Sequence, residues 1–432
     1  MKTLLVWLIY GLPALWAIVT YLRRFRRRNL EHQEALAASV EQGLMEPPSL
    51  HPVIDPTRCI ASGACVKACP ESALGIINNK AELINAAHCI GHGACLPACP
   101  VDAIKLVFGT EKRGIDIPQV KPNFESNVPG IYIAGELGGM GLIRKCAEQG
   151  RQAMDAIRAV VKPGAQEYDV VIVGAGPAGI AAGLGAIQAK LKYKLIEQED
   201  SLGGAVYHYP RNKIAMTAPV KLPIIGNVKM TEISKEKLLE FWSAVVRKTG
   251  LKVEFRERME SIEKIDGGFV VKTAQNSYTG SVVLLAIGRR GTPRKLNVPG
   301  EESAKVVYRL IDPEQYKGQR VLVVGGGDSA LEAAIAIAEQ NGSKVTLSYR
   351  SEAFSRVKEK NRTALKAAED TGRLKVMLKS SPTEITADQV KLKLEDKAIE
   401  LSNDAVIVCA GGELPTPLLK KIGVMFETKH GE

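Results

Sequence analysis

Hydrophobic and polar positions along this chain fall into three kinds of pattern. The first is one long uncharged run, Thr3 to Leu22 (TLLVWLIYGLPALWAIVTYL). At helical rise it would be ~30 Å long, the thickness of a bilayer core. A polar stretch with helical composition follows, Arg23 to Gly43, and then Met45 to Pro56 with four prolines, which reads as an extended linker. The second pattern is a short apolar run that ends in a glycine turn and leads into a helix. It occurs at Gly130–Ala134 before Gly135-Glu136-Leu137-Gly138-Gly139, at Asp169–Val173 before Gly174, and at Val321–Val324 before Gly325. Such runs predict strands buried on both faces of a parallel sheet. The helix after the first spans roughly Leu142 to Val161, with Ala147, Ala153, Ala156 and Ile157 at small or apolar positions. Strand, turn and helix in alternation predict an α/β chain. The third pattern, between Cys59 and Ile104, has no long period and is dense in cysteine.

The uncharged run has two readings. A cleaved signal peptide needs a small-x-small site, and none follows; Arg23, Arg24, Arg26, Arg27 and Arg28 begin at once. Arginines directly after a span stay on the cytoplasmic side. The expectation is a single-pass anchor of the cell inner membrane, with residues 3–22 in the lipid bilayer and residues 23–432 in the cytoplasm. Pro13 does not forbid spanning. The following helix is expected to be a stalk near anionic headgroups.

Net charge is +11, but Lys2 and the five arginines carry six of those charges and leave +5 for the rest. That is no basic stripe, so nucleic acid is not an expected partner. With 45% hydrophobic and 24% charged residues the remainder is ordinary globular protein.

Six of the eight cysteines lie between Cys59 and Cys99 in two copies of one motif, offset by 30 residues. CIASGACVKACPESAL runs from Cys59 to Leu74, and CIGHGACLPACPVDAI from Cys89 to Ile104. Clustered cysteines in a long chain point to metal ligation more than to disulfides. A doubled run ending in Cys-Pro resembles the ligand runs of a bacterial ferredoxin with two cubane clusters. The resemblance implies that Cys59, Cys65 and Cys99 hold one cluster, and Cys89, Cys95 and Cys69 the other. The second ligand position of each run is Ser62 and His92 instead of cysteine. Both are candidate ligands, and either 4Fe-4S or 3Fe-4S clusters are compatible with the set. Zinc is the alternative metal. Imidazole in place of thiolate should raise a cluster's potential.

Two dinucleotide fingerprints follow. In the first, Gly174, Gly176 and Gly179 open a helix with Pro177 and Ala178, and Glu197 ends the next strand at the spacing of a ribose-binding acid. In the second, Gly325, Gly327 and Ala330 take the small positions, with Asp328 and Ser329 between them. No acid ends the next strand, Lys344 to Ser348; Tyr349, Arg350, Arg356 and Lys358 follow. Arginines there suit a 2′-phosphate, so NADPH is favoured over NADH. With Val282–Pro293 and Ala405–Pro417 as crossover strands, residues 168–432 resemble the thioredoxin-reductase-like branch of the pyridine nucleotide flavoproteins. The low-molecular-weight disulfide reductases and ferredoxin reductases of that branch are nearest. The resemblance implies FAD on the first fingerprint, with Gly203 and Gly204 passing the isoalloxazine, and NAD(P)H on the second. It also implies a homodimer.

Two departures matter. Val306 to Arg320 lacks the C-x-x-C of a thioredoxin reductase. The closing strand of the FAD domain, normally last, corresponds to Pro129–Glu136, with Gly135 and Glu136 at the flavin's ribityl chain. The flavoprotein therefore reads as circularly permuted, with completion by a neighbouring subunit as the alternative. The expected architecture is two Rossmann-like three-layer nucleotide-binding domains (FAD domain permuted, NAD(P) domain inserted), a small α+β ferredoxin domain and one N-terminal transmembrane helix. In residues, this is an anchor at 1–22, a stalk and linker at 23–50, and the ferredoxin-like domain at 51–107. The displaced FAD piece takes 108–165, the FAD domain 166–292, the NAD(P) domain 293–410 and the return segment 411–432.

Hydride carries two electrons and a cluster carries one, so FAD belongs between them. The expected function is a membrane-anchored oxidoreductase moving electrons between NAD(P)H, FAD and the clusters, and on to a redox partner protein or membrane acceptor. No catalytic acid or base is assigned. A low-molecular-weight disulfide reductase, with Cys146 and Cys409 as its thiols, and an iron–sulfur redox sensor are the alternatives.

Overall fold

The structure is a computed structural model that describes residues 10–41, 44–47, 50–111, 113–139, 141–211, 213–217, 219–289, 291–354, 357–395 and 397–431. The chain forms two compact units, one of Met1–Ile115 with Lys429–Glu432 and one of Asp116–Thr428.

The first unit opens with helix α1 (Leu12–Glu41). No break falls between the apolar run and the arginines, because Leu, Ala, Arg and Glu all favour helix and no glycine lies inside. Among the described residues no helix is long and apolar enough to cross a membrane. The predicted transmembrane helix is thus not found there; its residues 3–9 lie outside the described part, and the rest merges into the arginine-rich helix. The predicted stalk is also corrected. His32 Nδ1 accepts the Ile76 N–H at 2.9 Å, Asn29 Oδ1 accepts the Asn78 N–H at 2.9 Å, and Ser39 Oγ donates to Asn85 at 3.0 Å. Gly75 leaves room for this docking, since a Cβ there would stand 2.9 Å from His32 Cγ. Residues 29–39 are therefore part of the packed unit.

The cysteine-rich segment folds as two half-repeats. Strand β1 (His51–Ile54), helix α2 (Ala64–Ala68), strands β2 (Leu74–Ile77) and β3 (Lys80–Leu83), helix α3 (Cys95–Ala98) and strand β4 (Ile104–Val107) follow in order. β1 pairs antiparallel with β4, and β2 with β3. Leu74, Ala81, Ala103 and Ile104 form a small core with Cys59, Cys65 and Cys95. The Gly431 N–H donates to the Phe108 carbonyl at 2.8 Å, so the last described residues run beside the start of the displaced piece.

In the second unit, β5 (Ile131–Ile133) and α4 (Ile143–Val160) precede the fingerprint elements β6 (Tyr168–Val173), α5 (Pro177–Gln188) and β7 (Tyr193–Ile196). Helix α6 (Lys235–Thr249) and strands β8 (Met259–Ile265), β9 (Gly268–Thr273) and β10 (Ser277–Leu285) complete this part. One six-stranded sheet holds β8-β9-β10-β6-β7, and β5 joins it on β10. β5 is parallel to β10 with Ile131 opposite Val283 and Ile133 opposite Leu285. Its pairing is made within the same chain. Val170 and Ile172 face one core and Val171 and Val173 the other, which is why this strand is apolar at every position.

The second nucleotide-binding part repeats the scheme. Strands β11 (Val306–Val307), β12 (Arg320–Val324), helix α7 (Asp328–Ala338), β13 (Lys344–Ser348), helix α8 (Glu359–Asp370), β14 (Leu374–Met377) and β18 (Ala405–Val408) build a parallel sheet in the order β11-β18-β12-β13-β14. A three-stranded antiparallel sheet of β15 (Ser380–Ile385), β16 (Gln389–Leu394) and β17 (Lys397–Ser402) is inserted before β18.

Candidate functional site

Strand β6 ends at Gly174, whose φ of +103° only glycine tolerates, and α5 begins with Pro177 after the N-cap Gly176. No side chain caps this helix. A Cβ built on Gly176 would meet nothing nearer than 3.8 Å, so a ligand can come close to the backbone at the helix start. That is a cradle for an anionic group. Gly179 works in the opposite way, because a Cβ there would overlap the Gly174 carbonyl; the third glycine lets the helix close on the turn. Ala178 and Gly179 are buried.

Glu197 is buried at 4% exposure, and its carboxylate accepts the Ala175 N–H at 2.6 Å and the Glu199 N–H at 3.1 Å. Burial pushes its pKa upward, opposed by those hydrogen bonds. The sequence assigns Glu197 to a ribose; in the structure it fastens the fingerprint turn to the end of β7. Gly203 donates its N–H to the Ala175 carbonyl at 3.1 Å, which brings Gly203 and Gly204 beside the same turn.

The displaced stretch reaches this cradle. Gly135 donates its N–H to Gln149 Oε1 at 2.9 Å, and a Cβ on Gly135 would lie 3.0 Å from the Ala178 methyl. The half-buried Glu136 follows, next to Gly141 and Gly288. Arg289, which sequence reasoning passed over, stands near Glu136 and donates to the Asp116 carbonyl at 3.1 Å. Burial pulls its pKa down, while the charges of Glu136 and Asp116 oppose that. Its only signal in the sequence is its place directly after an apolar strand.

At the second fingerprint, Gly327 caps α7 with no side-chain bond, and a Cβ there would face open space. Gly325 and Ala330 are buried, and Ser329 is exposed. Asp328 Oδ1 accepts the Lys358 N–H at 3.0 Å and the Asn361 amide at 2.7 Å, so it ties the start of α8 to the turn. A Cβ on Gly326 would overlap the Tyr349 ring, and that ring stacks on Phe354 at 5.4 Å. The sequence did not single out this aromatic pair. Arg350 is exposed just past β13. Arg356 lies outside the described residues.

Between the two fingerprints run contacts that the sequence does not announce. His208 Nε2 lies 3.0 Å from Glu199, and its Nδ1 meets the Arg309 guanidinium. Lys213 Nζ pairs with Glu332 at 2.6 Å and Arg211 with Asp312 at 3.0 Å. Residues 199–213 of the first nucleotide part are thereby clasped to residues 309–332 of the second.

The cysteines gather around two hollows in the first unit. Cys59, Cys65, Cys99 and Ser62 line one. Cys69, Cys89, Cys95 and His92 line another. Each hollow takes its third cysteine from the other repeat, because α2 and α3 carry the Cys-Pro ends across to the opposite half. Burial raises the thiol pKa of Cys65 and Cys89, and that of Cys95 to about 11. The Ala81 N–H points at Cys59 Sγ at 3.4 Å and the Ala103 N–H at Cys99 Sγ at 3.3 Å. Among the described residues no three His, Cys, Asp or Glu side chains converge to hold a single metal ion. Donors spread around a hollow suit a multi-iron cluster better than zinc, which needs four ligands converging on one point.

A family model described as pyridine nucleotide-disulphide oxidoreductase matches residues 171–432, more than half of the chain. The chain belongs to this family. It is an FAD-dependent NAD(P)H oxidoreductase. A second model, a 4Fe-4S dicluster domain, matches residues 51–100. The chain is 30% identical over 274 residues to a ferredoxin–NADP reductase of Ignicoccus hospitalis, covering 61% of this chain and 83% of that one. It is 26% identical over 267 residues to the bacilliredoxin reductase Bdr of Bacillus subtilis, covering 60% of this chain and 82% of the relative. In fold it is similar to the bacillithiol disulfide reductase Bdr (YpdA) from Staphylococcus aureus, with a TM-score of 0.53, 22% identity, and coverage of 60% and 80%. The two open turns fit FAD and NAD(P)H, and the two hollows fit iron–sulfur clusters.

Proposed function

We propose that this oxidoreductase takes hydride from NADPH in preference to NADH and sends electrons through FAD and two iron–sulfur clusters to a redox partner at a membrane. The observation that carries the reading is the presence, on one chain, of two open glycine turns and two three-cysteine hollows. Bound FAD supplies the exchange between two-electron and one-electron chemistry. The chain's residues then act by position. The N–H groups of the Gly174–Gly179 turn receive the FAD pyrophosphate, and Glu197 keeps that turn rigid. Glu136 serves the ribityl chain with Arg289 close by. The Gly325–Ala330 turn receives the nicotinamide dinucleotide, and Arg350 its 2′-phosphate. Several relatives are named ferredoxin–NADP reductases, and here the ferredoxin would be part of the same chain.

The membrane part rests on the run at residues 3–22 and the arginines after it. Tyr10, Trp16 and Tyr21 are 72%, 72% and 62% exposed, which leaves apolar surface that water does not favour. Deleting residues 1–22 should move the protein from the membrane fraction to the supernatant; a full-length chain already soluble sinks this part. We also propose a homodimer, to be checked by the mass of the detergent-solubilised protein.

The deciding experiment is anaerobic purification with iron and flavin quantitation, then EPR during titration with NADPH and NADH. Flavin reduction followed by cluster signals supports the reading. Flavin without iron removes the ferredoxin role. A disulfide reductase is the second reading, favoured by the Bdr relative. The cysteine-free segment Val306–Arg320 removes only the dithiol route of a thioredoxin reductase, so Cys146 and Cys409 would be the thiols of this second reading.

A further inference from the structure

The two hollows are built alike except at one corner. In the first, the fourth position is Ser62, which is exposed, and whose Oγ accepts the Ala64 N–H at 3.4 Å. In the second it is His92, which is half-buried and engaged by its surroundings. The remaining donors match: Cys59, Cys65 and Cys99 around one hollow, Cys89, Cys95 and Cys69 around the other. The chemistry of the two corners does not match. An imidazole is neutral at pH 7 and offers a ring nitrogen to iron without losing a proton. A serine hydroxyl stays protonated at that pH and must give up its proton to replace a thiolate. The Ser62 loop also opens to water, which competes for the same coordination place.

We propose that the two clusters are unequal, on the reading above that both hollows hold iron–sulfur clusters. His92 ligates the corner iron of the cluster held by Cys69, Cys89 and Cys95. The corner iron beside Ser62 has no protein ligand and carries water or an exchangeable small ligand. On oxidation that iron leaves first: the cubane in its 2+ state gives a three-iron cluster in its 1+ state, one Fe2+ ion and one electron. The electron goes to the added oxidant.

The test uses the full chain, prepared anaerobically with both clusters and FAD, and oxidised with a slight excess of ferricyanide. EPR spin counting of three-iron clusters, normalised to flavin, is the readout. The expected result is one three-iron signal per chain in the native protein and none in Ser62→Cys. His92→Ala should double the signal, and His92→Cys should return it to the native level, which separates lost ligation from misfolding. Protein labelled with 15N-histidine should change the nitrogen modulation of the reduced second cluster, and His92→Ala should abolish that modulation. A native protein without a three-iron signal overturns the inference, as does a signal that Ser62→Cys leaves unchanged. Absence of nitrogen coupling overturns the role of His92. Two equal three-iron signals in native protein overturn only the inequality, whereas a protein with flavin and no iron overturns the cluster reading as well.

Discussion

Cys146 lies buried beside Gly135, at the turn that the flavin cradle uses. Burial, with the Glu136 charge adding to it, pushes its thiol up to about 12. At neutral pH almost none of it is thiolate, and thiolate is the nucleophile. A Cys146→Ser, Cys409→Ser double variant should therefore keep most of its NADPH-dependent acceptor reduction, with at most a loss of about 1 kcal/mol in stability from the buried hydroxyl. Loss of disulfide reduction with acceptor reduction intact would instead establish a thiol pathway. Arg350, exposed just past β13, is the cation we propose for a 2′-phosphate. A charge-assisted bond is worth about 1.5–3 kcal/mol. Arg350→Ala should then raise KM for NADPH about tenfold or more and leave KM for NADH unchanged. Equal changes for both would give the arginine a purely structural role.

At the level of elements, α4 and α5 approach each other through glycine. A Cβ on Gly150 would overlap the Ala178 carbonyl, at the first turn of the fingerprint helix. Gly150→Ala should force the helices apart at a cost of about 1–3 kcal/mol. The shift falls on the turn that we propose receives the pyrophosphate, so the variant should release flavin at a lower temperature than the native protein. Flavin fluorescence during heating measures this; an unchanged release temperature would mean that α4 does not support the cradle. The same contact explains why the displaced piece is needed: β5 completes the sheet and α4 seals one face of it. Ala147, Ala153 and Ile157 on α4 share one core with Ile172 on β6 and Ile180 on α5.

For the whole molecule, the clasp between the nucleotide parts is the feature with kinetic meaning. Lys213–Glu332 joins elements whose relative placement decides whether nicotinamide and flavin meet. Both side chains keep about a third of their exposure, so the pair contributes only about 0.5–1 kcal/mol. Lys213→Glu should change the rate of flavin reduction by NADPH a few-fold, seen in stopped flow. The swap Lys213→Glu with Glu332→Lys should bring the rate back. A single variant with the native rate would show that the clasp does not bias the working arrangement.

Local chemistry made much of this protein legible from its sequence. Glycine spacing at Gly174–Gly179 and Gly325–Gly327 reports backbone that must turn or approach closely, and apolar runs such as Val170–Val173 report strands covered on both faces. The doubled Cys-Pro motif reports cluster ligands, because each repeat carries its own local signal. Other features depend on residues far apart in the chain and leave no local trace. Nothing local in the sequence marks His32, yet it accepts the Ile76 N–H because Gly75 leaves a space for its ring. Glu197 stands where a ribose ligand is expected, and it also accepts the Ala175 and Glu199 N–H groups, a bracing role with no local trace. The apolar run and the polar helix after it read as two segments, yet one helix, Leu12–Glu41, carries the end of the first into the second. That Ile131–Ile133 lies parallel to Val283–Leu285 was decided by a register that only packing of the two cores fixes.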